Sequence, residues 1–349
     1  MKTSVRSNSF VSCNQGIRVL AAGAFAAVML FHQMASGASI FVSFAESVQK
    51  YDEAGVLVPG FTAIINGQNG LSGLQDIAIG PDGLLYVSST GNGKVLRYNS
   101  TTGAFVNELA DVAGDPSVEI DGLTFGPDLS GDGVPDLYIA DFENNKVLRV
   151  ATQGAGQGVL NDFATTGLNR PIDLTFGADG KLYVASRNAD QVQRYNGDGT
   201  FDSTIIATAG DGPAGITFSP DGTQLFVSTV FDNDVGQFTS AGAVLDYVWQ
   251  SGALLGGPKG IVFGPDQNSD SILDLYVSSS NNDANGNAVK VFSGVDGAFI
   301  ENFVTGDRPR YIAVSNIIPE PSSGFLLALG SVAIIARARR SRSLPTARG

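Results

Sequence analysis

Histidine, cysteine and methionine are nearly missing from this chain of 349 residues, which holds 1 His, 1 Cys and 3 Met. All five, His32, Cys13, Met1, Met29 and Met34, fall within the first 38 residues. From Ser39 onward there is no imidazole for a Ser-His-Asp or Cys-His nucleophile, no thiolate or imidazole for a metal, and no disulfide. Chemistry in that body would have to run on carboxylates, Lys, Tyr or a metal held by oxygen. Charged residues are also sparse, at 16%, while 43% of the chain is apolar, which supports a large core and excludes a disordered coil. The 44 Gly exclude an architecture of long helices.

Residues 1–38 read as a signal peptide. Lys2, Arg6 and Arg18 flank and precede an apolar run from Val19 to Phe31, and the small residues Ser36 and Ala38 stand before an expected cut at Ser39. No acid occurs there, and residues 319–349 hold five Arg against Glu320 alone. Of the 21 basic and 34 acidic side chains, 13 and 33 therefore remain in the body between, a net charge of −20. Such a body repels nucleic acid and attracts cations, so no nucleic-acid partner is expected.

An internal repeat fills the middle of the chain. Ile77-Ala78-Ile79-Gly80-Pro81-Asp82 recurs in similar form at Leu123, Leu174, Ile216 and Ile261, at steps of 46, 51, 42 and 45 residues. After each copy comes a second apolar run, Leu85-Tyr86-Val87-Ser88 in the first and Leu275-Tyr276-Val277-Ser278 in the last. A third and a looser fourth follow, with Pro-Asp-Gly or Asn-Gly turns between them. Each unit is thus a four-stranded antiparallel sheet with the period of a propeller blade. Residues 39–65 match a blade without its first strand, and Tyr311-Ile312-Ala313-Val314 supplies it from the other end. The expectation is an all-β, six-bladed propeller over residues 39–316, closed by pairing of its N- and C-terminal strands. An open solenoid would not need the split repeat. Over nearly all of that span the repeats resemble NHL-type and gluconolactonase-like propellers, an architecture that hosts enzymes, binding modules and scaffolds alike.

The tail, residues 317–349, is a separate object. Pro319-Glu320-Pro321 precedes an apolar stretch from Gly324 to Ala336 and then the Arg cluster. The stretch is short for a membrane span, which takes about 20 apolar residues. The three elements in that order resemble the PEP-CTERM sorting signal. The resemblance implies processing at the inner membrane by an exosortase-type enzyme and delivery to the cell surface or extracellular matrix of a Gram-negative-type bacterium that makes exopolysaccharide. Pro319, Glu320 and Pro321 are the positions that carry it.

Two repeats carry insertions of equal length. From Gly80 to Tyr86 and from Gly177 to Tyr183 is 6 residues, whereas Gly126 to Tyr138 and Gly264 to Tyr276 is 12. The inserted loops place Asp128, Ser130, Asp132, Val134 and Asp136, and then Asp266, Asn268, Asp270, Ile272 and Asp274, at positions 1, 3, 5, 7 and 9. Oxygen ligands at alternate residues, with a backbone carbonyl at position 7, suit a hard cation that needs six or more oxygens. Without a Glu at position 12, the loops resemble those of FG-GAP propellers, and weakly bound calcium is expected in both. A polar hairpin turn is the bland alternative.

A second candidate site is the channel mouth, where Asp76, Asp121 and Asp173, with Gln75, Lys259 and Arg310, begin the first strands. Gluconolactonase-like propellers hold a metal on the axis, which makes a metal-dependent lactonase or esterase-like hydrolase the alternative activity. That family's Glu and Asn ligands do not map onto this chain, and Lys259 and Arg310 oppose a cation. Streptogramin-lyase-like chemistry resembles His-based catalysis, for which the body has no residue. The Pro-Asp-Gly turns at Asp82, Asp179 and Asp221 need no role beyond turning. Trp249 is expected to pack, though an exposed Trp can stack on sugar. The leading expectation is a binding or scaffold module with exopolysaccharide or surface proteins as partners.

Overall fold

The computed structural model describes residues 37–112, 118–250, 254–280 and 287–315, apart from the side chains of residues 247–250. The signal segment 1–36, the tail with Pro319, Glu320 and Pro321, and the Trp249 side chain lie outside the described residues. Among the described residues no helix is long and apolar enough to cross a membrane.

The described strands form six four-stranded antiparallel sheets, an all-β six-bladed propeller. Blade 1 is built from both ends: Ile312–Val314 is its inner strand, followed outward by Ile40–Ser43, Ser47–Tyr51 and Ile64–Ile65. The closing register pairs Ile40 with Val314, Phe41 with Ala313 and Val42 with Ile312. The inner strands of blades 2 to 6 are Leu74–Ile79, Ile120–Gly126, Pro171–Phe176, Pro213–Phe218 and Pro258–Gly264. Their second strands are Leu84–Ser89, Asp136–Asp141, Leu182–Ser186, Gln224–Thr229 and Asp274–Ser279.

Aromatic residues of the repeat form the seams between blades. The second-strand rings Tyr86, Tyr138, Tyr183 and Phe226 are buried. Each meets a Phe of the next blade edge-on: Tyr86 on Phe125 at 5.0 Å, Tyr138 on Phe176 at 4.8 Å, Tyr183 on Phe218 at 4.9 Å and Phe226 on Phe263 at 5.3 Å. One sequence position thus sets four seams, each stabilised by about 0.5–1.5 kcal/mol beyond simple burial.

Candidate functional site

Every inner strand of blades 2 to 6 breaks register with its partner near its start, as between Leu74 and Ile77, Ile120 and Leu123, and Pro258 and Ile261. The bulge takes Gln75-Asp76, Asp121-Gly122, Ala214-Gly215 and Lys259-Gly260 out of the ladder. Arg310-Tyr311 precede the inner strand of blade 1 at the same position.

The freed backbone groups are taken up across blades. The Ser of the second strand does this in three blades: Ser43 Oγ donates to the Gln75 carbonyl at 2.7 Å, Ser228 Oγ to that of Lys259 at 2.6 Å, and Ser278 Oγ to that of Arg310 at 2.6 Å. Ser88 Oγ accepts from the Asp76 amide of its own blade at 2.7 Å. The sequence signal for these serines is a Ser that recurs after Tyr-Val or Phe-Val in the second strand, as at Ser88 and Ser278 or Ser43 and Ser228. Blades 3 and 4 have Ala140 and Ala185 there. In blades 2 and 4 a carboxylate bridges to the next blade: Asp76 Oδ2 accepts from the Leu123 amide at 2.6 Å, and Asp173 Oδ2 from the Ile216 amide at 3.0 Å. Their other oxygens accept from Ile77 and Leu174 at 2.7 and 2.8 Å.

Asp76, Asp121 and Asp173 are therefore brought together, all of them buried at 5–8% exposure, but two are committed to backbone amides. Asp121 accepts only a 3.3 Å bond from Thr90 Oγ1 among the described residues. The Tyr311 ring belongs to the same layer, and its buried hydroxyl has no hydrogen-bond partner among the described residues. Its phenol is held far up by burial first and by the fields of Asp173, Asp121 and Asp76 next. Among the described residues no three His, Cys, Asp or Glu side chains converge closely enough to hold a metal.

Burial raises the Asp121 carboxyl to about 6, against the pull of Lys259, and raises Asp173 to about 7. Asp76 moves up as well, by burial and then by Asp173. A carboxyl raised on folding binds its proton more tightly in the native state. Its contribution to stability is full below the unfolded value near 4 and is lost as pH rises through 6 to 7. The propeller is thus expected to become less stable from pH 4.5 to 7.5. Asp121→Asn should flatten that slope by on the order of 2 kcal/mol in urea unfolding. An unchanged slope in the variant would refute the assignment. Asp202, held down to about 2 by Lys181 and Arg194, acts with the opposite sign but only below about pH 4.

The two inserted loops adopt one structure. In blade 3, Asp128 Oδ1 accepts from the Gly131 amide at 2.6 Å and Oδ2 from that of Gly133 at 2.7 Å. In blade 6, Asp266 Oδ1 accepts from Ser269 at 2.7 Å and Oδ2 from Ser271 at 2.7 Å. Asp132 and Asp270 accept from Val134 and Ile272 in the same way, at 3.0 and 2.8 Å. Asn268 Oδ1 accepts from the Asp270 amide, and Ser130 Oγ donates to Asp128. The amide of Gly133, then those nearer the turn, lowers the Asp128 carboxyl, keeping it anionic. The loops part at position 9. Asp274 has both oxygens on amides, of Gln267 at 2.7 Å and Gly294 at 3.3 Å. Asp136, fully buried, accepts on Oδ2 from Arg149 at 2.6 Å and from the Leu129 and Ser130 amides at 2.9 and 3.0 Å, while its Oδ1 has no partner among the described residues. Asp136 Oδ1 is thus a buried carboxylate oxygen left without a hydrogen bond among the described residues, in the loop that also carries Asp128, Ser130 and Asp132.

In the short turns Asp82 and Asp179 also receive the hydroxyls of Tyr86 and Tyr183, at 2.9 and 3.0 Å. In the long loops the corresponding Tyr138 and Tyr276 donate to the Pro127 and Pro265 carbonyls instead, which leaves Asp128 and Asp266 to the insertions.

No family model matches the chain, and no curated protein matches it. Among solved structures the fold is similar to a nidogen/laminin complex, at 16% identity and TM-score 0.60 over 80% of this chain and 98% of that one. It is also similar to a protein of unknown function from Bacteroides caccae, at 13% identity and TM-score 0.58 over 81% of this chain and 100% of that one. A third is a catalytically inactive histidine-to-alanine variant of virginiamycin B lyase from Staphylococcus aureus with quinupristin, at 16% identity and TM-score 0.55 over 78% of this chain and 85% of that one. These likenesses show the six-bladed propeller fold.

Proposed function

We propose that this chain is an exported propeller of the cell surface or extracellular matrix that acts as a binding or scaffold module, its blade 3 loop pinned by calcium. The observation that carries the reading is the use of the axial carboxylates. Asp76 and Asp173 join neighbouring blades through backbone amides, so the position where an axial hydrolase keeps metal ligands or a base is here devoted to holding the ring. The lyase neighbour is inactivated by loss of a histidine, and none of the described residues of this chain is a histidine. A nidogen/laminin complex among the neighbours supports partner binding as a use of the same fold. Export, the exosortase-type enzyme and the surface address rest on the leader and on Pro319-Glu320-Pro321.

The calcium part predicts that millimolar calcium, the range of weak extracellular sites, raises the melting temperature and that magnesium does so less. At ten times its dissociation constant the ion would stabilise by about 1.4 kcal/mol, a few degrees for a domain of this size. Asp128→Ala should abolish the rise, and Asp266→Ala should leave most of it. Equal behaviour of the wild type and Asp128→Ala in calcium would count against the site.

A further inference from the structure

The channel mouth gathers three cations in a strongly acidic body, and none of the three has an ion pair among the described residues. Lys259 and Arg310 occupy the same position in blades 6 and 1. Arg187 follows the second strand of blade 4, which ends at the same face. Among the described residues the Arg310 guanidinium bonds only the neutral Gln75 Oε1, and Lys259 Nζ has no hydrogen bond. Five carboxylates on the loops of this face are engaged elsewhere. Asp190 and Asp232 accept from the Gly212 and Asp211 amides, Glu46 from Asn66, while Glu143 pairs with Arg170 and Asp307 with Arg308. Burial first, and then Arg310 and Arg187 as like charges, bring the Lys259 ammonium down to about 8. Asp121 acts on Lys259 and Arg310 through its field but forms no ion pair with them among the described residues, and cations gathered against burial and mutual repulsion form a site that an external anion completes.

Two further groups narrow the anion. Asp121 faces Lys259 and Arg187, and its single long bond from Thr90 leaves acceptor capacity for a hydroxyl. Phe231, 59% exposed, lies under the Arg187 guanidinium at 5.2 Å and offers an apolar ring face. A carboxylate, neighbouring hydroxyls and an apolar face occur together in a sugar acid. We propose that the channel mouth binds a uronate unit of an acidic polysaccharide, with its carboxylate at Lys259 and Arg310, a hydroxyl on Asp121 and its ring against Phe231. The inference deepens the binding-module reading and rests on it.

The test is calorimetric titration of the full chain with hexameric oligogalacturonate, with cellohexaose and inorganic phosphate as controls. Binding of the oligogalacturonate alone is expected, weakened at least tenfold by Lys259→Met and several-fold by Phe231→Ala, in variants whose melting shows them folded. Equal binding of cellohexaose would remove the role of charge, and equal binding of phosphate would reduce the mouth to a plain anion site. Either overturns the proposal. Oligogalacturonate binding that Lys259→Met leaves unchanged would overturn the mouth while the binding-module reading stood. No binding, together with turnover of a lactone panel, would overturn both.

Discussion

Deletion of residues 310–315 is expected to abolish cooperative folding of the propeller, not merely to fray one end. These residues supply the inner strand of blade 1, whose partners arrive from the other end of the body. The deletion removes three ladder pairs and the flanking bonds from Arg310 N to the Ser43 carbonyl at 2.7 Å and from Ser315 N to that of Ser39 at 2.8 Å. It also removes the buried Tyr311 and Ile312 and uncovers Ile40, Phe41 and Val42, each at most 1% exposed. At roughly 1.5–3 kcal/mol per large apolar side chain, the loss is on the order of 5–10 kcal/mol, comparable with the whole stability of a domain. A solenoid treated the same way would lose one terminal unit and keep the rest. Scanning calorimetry separates the two outcomes: a ring gives no sharp transition, whereas a solenoid gives a slightly smaller one.

The second large effect is expected from a single methyl group. Gly215 lies in the bulge of blade 5, where a Cβ would stand 2.1 Å from the Lys259 carbonyl oxygen of blade 6 and 3.1 Å from the Ile261 amide. Gly260 faces the Cα of Tyr311 at 2.6 Å and Gly122 that of Asp173 at 2.7 Å in the same manner. The inner strands approach one another this closely because these positions carry no side chain. Gly215→Ala must push two blades apart against backbone atoms. The expected cost is about 3 kcal/mol or more, with melting lowered by about 5–10 °C. Gly83→Ala is the comparison, since its φ of +75° carries the conformational penalty with no atom within 4 Å, for a cost of about 1 kcal/mol. Similar losses in the two variants would show that the close approach does not matter.

The repeat makes the architecture legible in the sequence. Hydrophobic runs at a fixed long period, and the stray strand Tyr311-Ile312-Ala313-Val314 that completes residues 39–65, fix both blade count and closure, because edge strands must find partners. The two equal insertions likewise foretell two loops of one conformation, since Asp at the first position and residues that tolerate positive φ organise such turns. The use of the axis was not readable in this way. Asp76 and Asp173 look like ligands in a list of residues, yet their oxygens point to amides one repeat away in sequence. Whether a carboxylate faces a neighbouring amide or the open channel depends on the bulge, and a register shift has no simple composition. The alternation of Asp76, Gly122, Asp173 and Gly215 in the ring is the pattern that carries it, and it emerges only when the blades are superposed.

The most direct measurement is anomalous scattering from crystals of the protein grown with calcium. The account predicts an ion in the blade 3 loop among Asp128, Ser130, Asp132, the Val134 carbonyl and Asp136, with Asp76 and Asp173 still bonded to Leu123 and Ile216. An ion on the axis, held by Asp76, Asp121 and Asp173 in place of those amides, would contradict it and make the channel mouth a metal-dependent hydrolase site.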